Sequence, residues 1–73
     1  MTYYAMFMSK RENTPKFYAG FEDGILIYSK FEREAEWQPH LRHNNDQATQ
    51  QEYVDLGWYL KELTDEDMFL INI

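Results

Sequence analysis

A chain of 73 residues with no cysteine must hold its core together without a disulfide. A domain this small buries about 60–65% of its unfolded surface. Its expected stability is therefore only about 4–10 kcal/mol. A small core of this kind is completed by dense aromatic packing, by a metal or by self-association. Phe, Tyr and Trp make up 18% of the residues, which points to the first and leaves the third open. With 44% apolar residues the chain is also too hydrophobic for a disordered acidic tail. The expectation is one domain spanning residues 1–73.

Charge is distributed unevenly. The net charge of −6 arises almost wholly after residue 43, where Asp46, Glu52, Asp55, Glu62, Asp65, Glu66 and Asp67 face a single base, Lys61. Such a field repels nucleic acid and anionic membranes and favours a basic protein partner. The only basic cluster, Lys10, Arg11 and Lys16, lies in one connection, so direct nucleic-acid binding is not expected. The apolar start, residues 1–8, is too short to span a bilayer and lacks a preceding basic region. A cytoplasmic protein complete from Met1 is the expectation.

Residues 2–8 are apolar on both alternating faces, as in a central strand or one covered by a partner. After a polar connection, 17–21 and 25–28 read as a hairpin around Glu22-Asp23-Gly24, with Gly24 suited to positive φ. Residues 29–37 fit either a strand extension or a helix. Ser29 and Glu32 match a capping box, and a short helix is the expectation. Pro39 ends either element, and a loop follows to Asn45. The main helix is expected over about 46–63, capped by Asn45 or Asp46. Its stripe of Thr49, Tyr53, Leu56, Leu60 and Leu63 would pack on one face of the sheet. Residues 68–73 read as a last strand beside the first. The fold class is then α+β, with a mostly antiparallel sheet of three to four strands and one main helix.

Features that could carry chemistry are few. His40 and His43 form an H-x-x-H pair, but the adjoining Pro39 and Asn45 place them in a loop, without a thiolate to complete a zinc site. Asp65-Glu66-Asp67 lacks the spacing and central glycine of a calcium loop. Thr64 before them would cap a new helical turn, for which three early acids are favourable. No nucleophile stands beside a histidine, and the three glycines form no phosphate loop. No enzymatic activity, cofactor or metal is expected.

Trp58 is the leading interaction candidate. On a helix over 46–63 it would stand opposite the core stripe, with Val54 one turn before it. Asp55 and Glu62 would then form a polar rim, extended by Asp65, Glu66 and Asp67. Alternatively, Trp37 or Leu41 folds over this face and buries it. The function expected is a small acidic module that inhibits or modulates a larger basic protein. A nucleic-acid mimic is a sharper version. Duplex DNA carries a charge per about 1.7 Å of axis, so a helix about 27 Å long would need about sixteen, far more than this one has. The contrasting expectation is a structural homo-oligomer, motivated by the doubly apolar first strand.

Overall fold

The computed structural model describes residues 1–32, 36–39 and 48–72. Five strands form one antiparallel sheet: β1 (Thr2–Phe7), β2 (Phe17–Glu22), β3 (Ile25–Lys30), β4 (Gln38–Pro39) and β5 (Tyr59–Glu62). Their spatial order is β4-β3-β2-β1-β5. Two helices complete the described fold, α1 (Gln50–Asp55) and α2 (Asp65–Asn72). The class is α+β, with five strands rather than three to four.

β1 lies between β2 and β5, and both of its faces are covered at Met6 on one side and Ala5 on the other, as its apolar residues require. Register divides the sheet into two faces. Tyr4 opposite Ala19, and Met6 opposite Phe17 and Leu60, mark one. Tyr3 opposite Gly20, and Ala5 opposite Tyr18 and Lys61, mark the other. The β2–β3 hairpin turns at Asp23 and Gly24, with φ of 53° and 76°. These values belong to the two-residue turn that Asp-Gly favours, because its twist matches that of the strands.

The Met6 face holds the main core. Met6, Ala19, Phe21 and Leu26 are buried there, with Tyr4, Phe17, Tyr53 and Trp58 packed against them. Trp58 meets Phe17 and Tyr53 edge-on and Phe17 meets Tyr53 at a tilt, with ring centroids 5.6–5.9 Å apart. Aromatic packing thus does what a disulfide would do in another small chain.

On the Tyr3 face a second cluster forms. Tyr3 lies so close over Gly20 that a Cβ there would sit 2.8 Å from its ring. Trp37 packs on Tyr3 at 5.1 Å, and the Lys30 ammonium stands 5.7 Å from the Trp37 ring centre. Lys30 donates to the Ile71 carbonyl at 2.6 Å, supplying a cation at the negative end of α2. Its side chain is only 3% exposed, and burial pushes its pKa below the ordinary lysine value.

Three sequence expectations are overturned. The helix expected over 46–63 spans only Gln50–Asp55, and Asp46 and Gln47 lie outside the described residues. Its true start is a side-chain N-cap that Thr49-x-x-Glu52 signals in the sequence: Thr49 Oγ accepts from the Glu52 N–H at 3.1 Å. Its end is a Schellman motif. Gly57 at φ 93° donates to Val54, and Trp58 donates to Tyr53, each at 3.0 Å. The Trp58 ring then seats on Tyr53, the apolar contact that accompanies this cap. The expected packing stripe dissolves accordingly: Thr49 is the cap, Leu56 is 77% exposed, and Leu60 belongs to β5.

The second correction concerns residues 68–73. They were expected as a strand beside β1, but Met68 to Asn72 belong to α2, and β5 takes the place beside β1. Third, Ser29 and Lys30 end β3 instead of opening a helix. Ser29 is buried opposite Ala19, so ladder pairing outweighs the local capping signal. Residues 33–35 of that stretch lie outside the described residues.

Candidate functional site

The acids that begin α2 are positioned by a capping box. Thr64 Oγ accepts from the Asp67 N–H at 3.1 Å, and Asp67 accepts from the Thr64 N–H at 3.0 Å. The Thr64 backbone N–H first, and the Thr64 hydroxyl second, hold the Asp67 carboxyl below the usual aspartate value, with Lys61 nearby adding to the effect. Asp65 and Glu66 are not engaged in the cap and are exposed. One turn further along the helix stand Phe69 and Leu70, 67% and 48% exposed. Asp65 with Phe69, and Glu66 with Leu70, share i,i+4 spacing, so each acid neighbours an exposed apolar side chain.

Beneath α2 the structure leaves a hollow of about 250 Å³ against the Tyr3 face, with Phe7, Tyr18, Lys61, Leu63 and Leu70 among its lining. Ile71 closes its inner side and is buried. The opening is bordered by one cation and one anion, Lys61 and Asp67. It has no net charge with which to select an ionic ligand.

The other expected site residues are distributed differently from the sequence reading. Val54, 49% exposed, and Asp55 stand on α1, which touches the Met6 face through Tyr53. Gln51 donates to Asp55 at 2.8 Å. Burial, and secondarily Glu52, push the Tyr53 hydroxyl above the usual tyrosine pKa. Trp58 is half-buried and joins the aromatic core, not the far face of a helix. Trp37 is not its cover, since Trp37 lies on the opposite face against Tyr3. Leu41 lies outside the described residues. Glu62 is exposed on β5.

The structure therefore brings Asp65, Glu66 and Asp67 together at one helix start and separates them from Val54 and Asp55 on the other face. These acids are thus not carried on one helix. Phe69 and Leu70 were missed because they were read as strand. The signal that finds them is Thr64-x-x-Asp67, which marks a helix start and shifts the following residues to a helical period.

His40 and His43 lie outside the described residues. Among the described residues, no cluster of three or more His, Cys, Asp or Glu could hold a metal ion. Among the same residues, no helix is long and apolar enough to cross a membrane. Comparison with known proteins found no matching family model, no matching curated protein and no matching solved structure.

Proposed function

We propose that this chain is a small acidic protein-interaction module that docks on the basic surface of a larger protein and modulates it. The observation that carries this reading is the exposed surface of α2, where Phe69, and Leu70 at the edge of the hollow, stand one turn after Asp65 and Glu66. Apolar anchors beside a charged rim are the arrangement found at interface hot spots. The surrounding acids, within a net charge of −6, would speed encounter with a cationic partner. Val54 and Asp55 on α1 add a second exposed apolar–acidic pair, and Glu62 on β5 adds a further exposed acid. Trp58 contributes by holding the core that positions these surfaces.

The test is affinity capture from a lysate of the source organism at low and high salt, with mass spectrometry as the readout. Beside the native chain would run Phe69→Ser and the double variant Asp65→Lys/Glu66→Lys. The four side chains are exposed, and circular dichroism checks that α2 persists, because lysines in its first turn oppose the helix dipole. The expected result is a basic protein held at low salt, released at high salt and lost with either variant. Capture that ignores both variants, or no basic protein at all, would overturn the proposal. Trp58→Ala is unsuitable here because it removes a core ring.

A further inference from the structure

The two edges of the sheet differ in how they are guarded. At one end β4 has two residues, one of them Pro39, and short length and proline are both devices that prevent strand addition. At the other end β5 has four residues, no proline and no bulge in its pairing with β1. Among the described residues nothing pairs with its outer side.

Register fixes which backbone groups point outward. Leu63 donates to the Tyr3 carbonyl at 2.8 Å, and Tyr4 lies opposite Glu62. By alternation, the amides of Tyr59 and Lys61 also turn toward β1, whereas those of Leu60 and Glu62 turn outward. We propose that this edge pairs antiparallel with the same edge of a second copy of the chain, about a two-fold axis at Leu60. The two five-stranded sheets then become one continuous sheet.

The side chains favour that axis over those at Lys61 and Glu62, and they fit that occupant. An axis at Lys61 would set Lys61 opposite its own copy, and an axis at Glu62 would do the same for Glu62. Like charges directly opposite are unfavourable. With the axis at Leu60, leucine meets leucine, and Tyr59 lies opposite the partner's Lys61 on both sides of the axis. Tyr59 is 36% exposed and Lys61 is exposed, so the ammonium can lie against the phenol ring. A copy supplies this aromatic–cation match twice, because the two residues stand two apart on one strand. Leu60 exchanges both of its outward bonds with its counterpart. The outward Glu62 N–H faces the partner's Trp58 carbonyl, while the Trp58 N–H is already engaged with Tyr53.

Two copies of charge −6 repel each other, so salt should strengthen this association. Salt should weaken docking on a basic protein, so the two proposals fail separately. The experiment is sedimentation equilibrium of the purified full chain from micromolar to submillimolar concentration, at low and high salt. Mass is expected to rise from 8.9 kDa toward twice that value, more readily at high salt.

Tyr59→Lys places lysine opposite lysine twice and should weaken the dimer about tenfold or more. The exchange variant Tyr59→Lys/Lys61→Tyr restores the match and should restore association. Glu62→Pro removes an outward N–H without touching the β1 ladder and should also weaken the dimer. A native chain that stays monomeric throughout overturns the proposal. So does a Tyr59→Lys variant that associates like the native chain, or an exchange variant that fails to recover.

Discussion

Replacing Gly57 reverses sign according to whether α1 stops where it does. At φ 93° Gly57 occupies the left-handed side, where an L side chain costs about 1–2 kcal/mol. A Cβ built there meets nothing within 4 Å, so the cost is one of backbone conformation and not of crowding. A stiffer unfolded chain returns about 0.4–1 kcal/mol, less than is lost at positive φ. Gly57→Ala should therefore destabilise by about 1 kcal/mol. If the turn opens, the 3.0 Å bonds from Gly57 to Val54 and from Trp58 to Tyr53 go too, and the loss grows.

In a domain of this length 1 kcal/mol lowers Tm by about 4–8 °C. Asparagine tolerates the left-handed region better than alanine, so stability should fall in the order Gly, Asn, Ala. In an uninterrupted helix over 46–63 the order would be Ala, Asn, Gly, with alanine about 1 kcal/mol better than glycine. Urea unfolding followed by tryptophan fluorescence reads the order directly, since Trp58 sits on this cap. A higher midpoint for Gly57→Ala than for the native chain would refute the reasoning.

Two further outcomes follow from the packing of the Tyr3 face and the start of α2. Gly20→Ala introduces a methyl group 2.8 Å from the Tyr3 ring and should cost about 1–3 kcal/mol in urea unfolding. Combining it with Tyr3→Ala should cost less than the sum of the two singles, and strict additivity would argue against the contact. For Asp67, whose folded pKa lies below the usual value, the stabilisation is complete above the ordinary aspartate range. It is lost as pH falls through the lower folded value. Asp67→Asn should flatten that acid limb of the stability curve, and parallel curves for the two proteins would contradict the capping box.

How much was legible in advance can be judged element by element. The hairpin over β2 and β3 was readable because Asp23-Gly24 permits few alternatives and the flanking strands are apolar. The interior position of β1, away from both sheet edges, was readable from its two apolar faces, and the turn at Thr64 from the acids after it. Both helix boundaries also had local signals, Thr49-x-x-Glu52 and Gly57, but these competed with a helical apolar spacing that continued to Leu63. The acidic last thirty residues were visible as a charge excess, yet not as surfaces. Their grouping depends on which acids share a face.

By itself, the sequence determined a disulfide-free α+β chain with an aromatic core, a tight hairpin and an acidic second half, since composition, period and turn chemistry are local. The tertiary structure decided whether residues 59–62 extended a helix or paired with β1, and whether Ser29 capped a helix or filled the sheet. It also turned Trp58 into the core and left Phe69 and Leu70 outside. The physical reason is that a short apolar segment satisfies either period. Long-range partners settle the choice: the β1 ladder accepts residues 59–62, and the Lys30 ammonium reaches the last turn of α2.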